Sequence, residues 1–515
     1  MRRNRVTDRT SQTNKWLVAI VVMLPSVIEI IDTSIVNVSL DHIRGALSAS
    51  IGEATWAISA YLVSNAIVIP LSGWLSRLFG RKRYQIGSIL IFTASSFMCG
   101  AAWSLQSLIA FRVLQGLGGG GLVPVSQAIL LEAFPKKEHG MAMALFGMGV
   151  LVGPIVGPLL GGYITYNFSW RWIFYINIPI GLLSILLSVL FIHDPSYMKR
   201  QRMKIDYMGF FFLAVGLGAL QYVLDTGQRK DWFASPYVSG FAIISAVCLI
   251  FLVLNEMFTD EPVINLGLFK KRSFTSGSVV MFFVMFNLYG SLILLPIFLQ
   301  TLMGYTSLQA GLVLGPGGFI AIMVMPIAGI LVTRVDPKKV LTVGILICAG
   351  TTYAMSLFNL DTDFWTFVWP RVTLGIGMPL IFIPLTILTL SPIPKENMGG
   401  ATSMYNMLRN LGGSVGIAFA GTMAARRGQF HQSRLVDHLS VLDPSYAMAK
   451  AKTAAVLSWK GLHSLPPDAG IYRELIFQAR MLGFNDAFFL VAMMLLSSLV
   501  LVLFIKRPTR DTGKG

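Results

Sequence analysis

The chain has 515 residues and a net charge of +17; 54% of its residues are hydrophobic and only 13% are charged. Soluble domains carry roughly 25% charged residues, so this composition excludes a chain of ordinary soluble domains. Apolar stretches of about 20 residues recur along the whole length, and each can cross a bilayer core of about 30 Å. The sequence therefore predicts an all-α integral membrane protein.

We predict fourteen membrane-spanning helices from these apolar stretches. The basic, polar start MRRNRVTDRTSQTNKW is followed by no small-residue cleavage site, so we expect no cleaved signal peptide. The predicted spans are 16–38, 52–75, 84–103, 107–131, 141–164, 172–193, 207–226, 236–256, 275–299, 308–333, 339–358, 365–391, 400–424 and 484–505.

Positive charge is distributed unevenly between the two sides of the predicted membrane. Most of the 41 Lys and Arg residues fall on the side of the N-terminus. The short loops on the other side hold only Arg44, Arg171, Arg229 and Lys230, while the long loop 425–483 says little about orientation. This asymmetry follows the positive-inside rule, so we expect both termini in the cytoplasm and no nucleic-acid partner.

Two carboxylates, Glu29 and Asp32, lie inside the first span. Their spacing places both on one helix face, and each costs about 2.5–3.5 kcal/mol at a bilayer centre. Burial and a neighbouring carboxylate both favour the protonated form of a carboxyl group, so such a pair can hold a proton near neutral pH. The pair is therefore a candidate proton-coupling site, with a structural ion pair as the alternative.

Three arginines also lie inside spans: Arg112, Arg371 and Arg409. Arg112 is predicted at the depth of Asp32, so we expect these two to form an ion pair, with pairing of Arg112 to some other group as the alternative. Arg371 has the same depth further along the chain, where it either binds substrate or extends towards the membrane surface.

An internal repeat relates the two parts of the chain. RVLQGLG, residues 112–118, and RVTLGIG, residues 371–377, share Arg, Val and two Gly, and both begin in spans of the same direction. Two parallel halves follow, with the seventh and eighth spans between them. The predicted organisation is a cytoplasmic tail 1–15, a six-helix bundle 16–193, a linker with two extra helices 194–274, a six-helix bundle 275–505 that includes an outer loop 425–483, and a cytoplasmic tail 506–515.

A row of glycines lies in the fifth span. Glycines four residues apart form a flat ridge that another helix can approach closely, and prolines bend a helix. The run serves either tight packing alone or the conformational change. Its members are Gly149, Gly153, Pro154, Gly157, Pro158, Gly161 and Gly162.

Two enzyme-like patterns occur without the context that enzymes need. GLGGGG, residues 116–121, fits a dinucleotide-binding pattern but follows no strand and lies in an apolar span. GGSVG, residues 412–416, fits a nucleophile-elbow pattern, but no His lies obviously near Ser414. We therefore expect no catalytic residue, no metal site and no cofactor beyond protons as the coupling ion.

The chain resembles the major facilitator superfamily, and within it the fourteen-helix drug/proton antiporters of the EmrB/QacA type. The resemblance covers about residues 16 to 505. The stretches that carry it are IIDTSIVNVSL, LIAFRVLQGLGGG, VGPIVGPLLGG, WRWIFYINIPIG, LPIFLQTLMGYTSLQAGL and RNLGGSVG.

The resemblance implies roles for individual residues. It makes Asp32 the acidic residue of the first helix and Arg112 an arginine linked to proton transfer. It implies a substrate cavity between the halves near the midplane, for which the candidate residues are Asn37, Gln115, Arg371, Asn287 and Arg409. The cytoplasmic loop after the second span supplies gate candidates, namely Gly73, Gly80, Arg81 and Lys82.

The chain departs from the family pattern in two places. Arg77 stands where the loop after the second span usually carries an acid that latches the halves, which puts that latch in doubt. Glu29 is not a general family feature, so it is expected to be a second proton or cation site of this protein.

The implied function is proton-coupled export of hydrophobic or amphipathic drugs across a bacterial inner membrane. The implied partners are small molecules, membrane lipid, and a periplasmic adaptor with an outer-membrane channel. A dedicated exporter of one metabolite, fatty acid or siderophore is the alternative within this class. Two alternatives lie outside the transporter class. One is a non-transporting sensor or scaffold, and the other is a serine hydrolase whose turnover would depend on Ser414.

Overall fold

The structure is a computed structural model that describes residues 14–194, 206–259, 262–437, 439, 444–459 and 466–506. Most of the two predicted cytoplasmic tails, namely residues 1–13 and 507–515, lies outside the described residues. So do residues 195–205 of the predicted linker and parts of the predicted outer loop.

The described chain is built from helices and contains no strand. The α-helices are α1 (Lys15–Ala46), α2 (Ile51–Ala54), α3 (Trp56–Phe79), α4 (Arg81–Gly100), α5 (Leu105–Gly119), α6 (Leu122–Ala133), α7 (His139–Asn167), α8 (Trp172–Tyr175), α9 (Asn177–Phe191), α10 (Tyr207–Thr226), α11 (Pro236–Phe258), α12 (Arg272–Thr301), α13 (Ser307–Arg334), α14 (Pro337–Met355), α15 (Phe364–Leu390), α16 (Met398–Val436), α17 (Pro444–Trp459), α18 (Pro467–Ser497) and α19 (Leu499–Phe504).

Membrane-spanning helices account for most of the chain. Among the described residues, 11 helical segments are long and apolar enough to cross a membrane. The three remaining predicted spans are occupied by α4, α14 and α16, which are long but more polar. Four predicted spans are interrupted: α2 ends before α3 at Thr55, α5 before α6 at Gly120 and Gly121, α8 before α9 at Ile176, and α18 before α19 at Ser498. The prediction of a many-helix membrane protein is confirmed.

Several helices extend beyond the predicted spans. Helix α1 continues to Ala46 instead of ending near residue 38, and α16 continues to Val436 instead of ending near residue 424. The predicted outer loop 425–483 is therefore mostly helical where the structure describes it, and α16 and α18 supply much of it. Apolar residues mark where a helix is buried in lipid, but the backbone hydrogen bonds continue into polar sequence of adequate helix propensity.

The fourth span of each half packs in the same way. Gly116 and Gly375 are both the twelfth residue of their helices, α5 and α15, and they lie against α3 and α13 respectively. Gly118 and Gly377 are both the fourteenth residue, and they lie against α4 and α14. The repeat seen in the sequence is thus also a repeat in packing, with the same helix order in both halves.

The two halves touch at the end of the bundle where α1 begins, which we call the near end. A Cβ added to Gly73 would lie 2.6 Å from the carbonyl oxygen of Gly399. Ser72 and Ser403 share a hydrogen bond of 2.8 Å, and a Cβ added to Gly140 would lie 2.7 Å from the carbonyl oxygen of Gly329. The helices approach backbone to backbone here, which closes the near end.

The opposite end, where α1 finishes, is the far end, and there the described parts of α7 and α13 do not show this close approach. Tyr163 and Tyr166 in the far part of α7 are 63% and 85% exposed. Gly311 and Gly315 in the far part of α13 have no described neighbour within 4 Å of an added Cβ. Helices α7 and α13 therefore meet at the near end and diverge towards the far end.

Helices α10 and α11 pack against each other, and α10 lies over the seam between α3 and α16. Arg229, just after α10, donates a hydrogen bond of 3.1 Å to Thr55 of the first half. Ser59 donates a further hydrogen bond to Asp225. Trp232, further along the chain, donates a hydrogen bond of 3.0 Å to Thr422 of α16.

Candidate functional site

Asp32 lies at the centre of a buried polar network in the first half. Its side chain is fully buried in α1. Its Oδ2 accepts a hydrogen bond of 2.6 Å from Nη1 of Arg112 in α5, so the two residues form an ion pair. Its Oδ1 accepts hydrogen bonds from the amides of Gln115, at 2.9 Å, and Asn177, at 2.8 Å. A carboxylate can remain charged at such a depth because it has both a counter-ion and neutral donors.

The guanidinium of Arg112 is fully engaged on its other sides. Its Nε donates to the carbonyl oxygen of Ala57 in α3 at 3.0 Å, and Nη1 also donates to Oε1 of Gln115 at 2.7 Å. Its Cζ lies 4.1 Å from the centre of the Tyr61 ring, which adds a cation–π contact. The predicted contact between Asp32 and Arg112 is present, and three helices hold it in place.

Glu29 faces the same side of α1 but has its own partners. Its Oε1 accepts hydrogen bonds from the hydroxyl of Tyr61, at 3.1 Å, and from the amide of Asn65, at 2.9 Å. Both donors are neutral. Arg409 on α16 lies within range of an electrostatic interaction with this carboxylate from the second half. Glu29 therefore interacts electrostatically with an arginine of the other half.

Three partners of these carboxylates escaped the sequence analysis: Asn177, Tyr61 and Asn65. Asn177 also donates to Ser96 at 3.0 Å, which ties α9 and α4 to the same carboxylate. A polar residue inside an apolar span was the available signal, and Asn177 stands within WRWIFYINIPIG. Tyr61 and Asn65 are four residues apart on α3, which places both on one face.

The candidate cavity residues fall into different environments. Gln115 is buried within the Asp32 network and does not line an open cavity. Asn287 is also buried, and its amide donates to Thr352 of α14 at 3.1 Å, so this candidate too is closed off in this conformation. Asn37 is exposed and bonds the backbone of its own helix at Thr33.

The two remaining cavity candidates are arginines. Arg409 is half-buried, donates to Asn406 at 3.3 Å and lies 5.5 Å from the centre of the Phe382 ring. Arg371 is only 6% exposed within the second half. The structure brings neither of them to the Asp32 carboxylate within hydrogen-bond distance.

The glycine ridge of α7 packs against α1. Cβ atoms added to Gly149, Gly153, Gly157 and Gly161 would collide with successive turns of α1, from Met23 to Ile35. Gly162 was placed in the same motif, but it has no described neighbour within 4 Å of an added Cβ, so it is not part of this contact. The ridge lets α7 approach the helix that carries both carboxylates. A role in the conformational change stays a prediction.

The loop between α3 and α4 lies at the near end. Arg81 is buried and pairs with Glu132 at the end of α6, with Nη2 2.5 Å from Oε1. Gly80 has a φ of 86°, a conformation that favours glycine. The backbone N–H of Lys82 donates to Oδ1 of Asp194 at 2.9 Å. A carboxylate therefore does reach this loop although Arg77 replaces the usual acid, but it comes from the segment after α9. The gating role of this loop stays a prediction.

The enzyme-like patterns have structural explanations. Gly412 and Gly416 on either side of Ser414 pack against the backbone of α12 at Phe282 and Phe286. Gly118 of GLGGGG packs against α4. Both patterns are helix contacts.

Comparison with known proteins decides the family. The model described as Major Facilitator Superfamily matches residues 22–417. The chain is 35% identical to the multidrug export protein EmrB of Haemophilus influenzae, over 96% of each chain. This chain belongs to the major facilitator superfamily, in its EmrB-like drug efflux family. It is also 35% identical to the fatty acid resistance protein FarB of Neisseria gonorrhoeae, over 95% of each chain.

Solved structures agree on the superfamily fold. The crystal structure of the human organic anion transporter MFSD10 matches with a TM-score of 0.63, covering 95% of this chain and 100% of that one. The identity is 13%, so this likeness shows the fold alone. The family model and the EmrB-like relatives together show a multi-pass membrane transporter of small molecules.

Proposed function

We propose that this transporter exports hydrophobic or amphipathic toxic compounds in exchange for protons, by alternating access. The observation that carries the proposal is the buried Asp32–Arg112 ion pair, 2.6 Å long, in a membrane-spanning bundle. Ionisable groups at such depth are costly and typically belong to ion or proton pathways. The EmrB relative, named a multidrug export protein, supports drugs as the substrate class.

The conformation fits one step of that cycle. With the N-terminus in the cytoplasm, as the distribution of Lys and Arg favours, the near end is cytoplasmic and the far end is outside. The structure is then outward-facing, because Gly73 meets Gly399 at the near end while the far parts of α7 and α13 diverge. Compound release and proton uptake both belong to this state.

Proton uptake acts through the ion pair. A proton on Asp32 removes its negative charge, so Arg112 becomes a cation without its counter-ion in the first half. Removing one partner of a buried pair is strongly destabilising, and this cost favours the inward-facing state. Compound binding from the cytoplasm or inner leaflet then favours proton release. Glu29 modulates the step, since its carboxylate interacts electrostatically with Asp32 and, from the second half, with Arg409.

The energy comes from the membrane potential and the pH gradient. Each charge that crosses contributes about 2.3 kcal/mol per 100 mV. No further cofactor is part of the proposal. We place the protein in a bacterial inner membrane, in contact with membrane lipid. There a periplasmic adaptor and an outer-membrane channel would continue the route, and the α16–α18 region at the far end is positioned to meet an adaptor.

The test is proton exchange in liposomes with an imposed pH gradient, followed with a pH-sensitive dye. A cationic dye should drive proton release by wild type, and Asp32→Asn should abolish it. Glu29→Gln should keep exchange but change its rate or its pH dependence. If Asp32→Asn exchanges protons as wild type does, the proposal is wrong even though the family assignment stands.

A second candidate is a dedicated exporter of fatty acids. The observation in its favour is that FarB, named for fatty acid resistance, is as similar to the chain as EmrB is. Growth inhibition separates the two candidates. A drug exporter protects a deletion strain against many unrelated dyes and uncouplers, whereas a fatty acid exporter protects it against fatty acids alone.

A further inference from the structure

Arg371 occupies the place in the second half that Arg112 occupies in the first. Each is the eighth residue of its helix, Arg371 in α15 and Arg112 in α5. Arg371 is 6% exposed, and the backbone of α13 at Gly317 packs directly against it. Unlike Arg112, it has two guanidinium nitrogens, Nε and Nη1, that find no acceptor in the described part of the chain.

The second half has lost the groups that satisfy Arg112. Gln115, which accepts from Arg112, corresponds to Leu374, since both are the eleventh residue of their helices. In α12 the buried polar residue Asn287 donates its amide to Thr352 of α14. Arg371 therefore has the helix position of Arg112 without the acceptor that Gln115 supplies.

No carboxylate of the neighbouring spans can replace them. Helices α12, α13, α14, α15 and α16 contain neither Asp nor Glu. The other arginine of these spans, Arg409, is already engaged by Asn406 and by Phe382. Arg371 is thus a buried cation, and the helices that pack around it hold no carboxylate among the described residues.

Such a group is suited to an anion from outside the chain. A buried donor without an acceptor is costly, and the fixed fork of a guanidinium matches the two oxygens of a carboxylate. We propose that Arg371 forms a binding site for a compact anionic group, the carboxylate of a transported amphipathic compound. This rests on the proposed function only in that the bundle accepts small molecules. An inorganic anion such as chloride also carries a negative charge and accepts hydrogen bonds, so it is the other source of an anion for this site.

Equilibrium binding to the full chain in lipid nanodiscs tests the site without any pH gradient. The probe is dodecanoate, compared with its uncharged methyl ester and with the cation dodecyltrimethylammonium, after subtraction of protein-free nanodiscs. Arg371→Gln should weaken dodecanoate binding about tenfold or more, and Arg371→Lys less, because Lys keeps the charge but loses the fork. The ester and the cation should bind the variants as they bind wild type.

The matched control is Arg426→Gln, an exposed arginine of the same half, which should leave all three probes unchanged. If Arg371→Gln binds dodecanoate as wild type does, or loses all three probes equally, the inference is overturned. Should Arg371→Gln fail to fold, wild type must still bind dodecanoate more tightly than the ester, and Arg371→Lys must reduce that preference.

A chloride titration identifies the source of the anion. If dodecanoate occupies the site, chloride should compete with it in wild type but not in Arg371→Gln. Chloride could instead raise the melting temperature of wild type but not of Arg371→Gln, while both proteins bind dodecanoate with the same affinity. In that case the anion is inorganic and the carboxylate assignment is wrong. Because the assay measures binding alone, it can succeed even if Asp32→Asn still exchanges protons and the antiport proposal fails.

Discussion

The two halves share their packing but differ in their chemistry. In the first half, Arg112 has Asp32 as its counter-ion and Gln115 as a further acceptor. In the second half, Arg371 stands at the matching position, but two of its nitrogens lack acceptors in the described structure. Glycines seat α5 and α15 identically, so the difference lies in a few polar side chains. One fold thus provides two arginine sites, one closed by the protein and one open to a ligand.

The largest effect is expected from joining the halves covalently. Ser72 and Ser403 are hydrogen-bonded across the near end, so Ser72→Cys with Ser403→Cys should form a disulfide on oxidation and abolish transport until it is reduced. Activity assays before and after reductant measure this. The far-end pair Tyr166→Cys with Leu308→Cys should not cross-link in the resting protein. Full transport by the oxidised near-end pair would show that the halves need not separate there.

The comparison of the two arginines predicts opposite effects on stability. Arg112→Gln leaves the buried Asp32 without its counter-ion and should cost about 3–5 kcal/mol of stability. The double variant Asp32→Asn with Arg112→Gln should recover part of it. Arg371→Gln removes a cation that has no counter-ion, so its melting temperature should be unchanged or raised. Melting curves of the purified proteins, with no anionic ligand added, measure all three. Equal losses for Arg112→Gln and Arg371→Gln would contradict the asymmetry.

A smaller effect is expected at the glycine ridge. Gly153→Val would place its side chain against Ile30 of α1, and such overpacking typically costs about 1–3 kcal/mol. Gly162→Val on the same helix meets no described neighbour, so it should be close to neutral. Melting temperature and transport rate should both fall for the first variant alone. If the two variants behave alike, the close approach of α7 to α1 has no energetic importance.

The smallest effect concerns the loop before α4. Asp194 accepts the backbone N–H of Lys82 in the first turn of that helix, where a carboxylate also interacts favourably with the helix dipole. Asp194→Asn keeps an acceptor but loses the charge, so it should cost about 0.3–1 kcal/mol. A chemical denaturation series in mild detergent can detect this. A loss well above that range would give Asp194 a larger role at the near end than helix capping.

The sequence was sufficient for the spans, the repeat and one long-range pair. Eleven of the fourteen predicted spans are long apolar helices in the described structure, because lipid exposure imposes apolar side chains, and the more polar helices α4, α14 and α16 occupy the other three. Asp32 and Arg112 meet as their predicted depths indicated. The extent of α16 was missed, because a helix outside the membrane carries no hydropathy signal. Tyr61 and Asn65 were missed as partners of Glu29, because α3 approaches α1 only through tertiary packing.

The linking helices give the protein two unlike flanks. Helix α10 lies over the α3–α16 seam. Among the described residues, α10 and the turn after it make hydrogen bonds to Ser59 and Thr55 of the first half and one to Thr422 of the second half. When the halves rock, α10 should travel with the first half and slide over the second. Helix α10 should therefore cover the α3–α16 flank throughout this motion. A compound dissolved in the bilayer would meet α10 on one flank and the uncovered α7–α13 interface on the other.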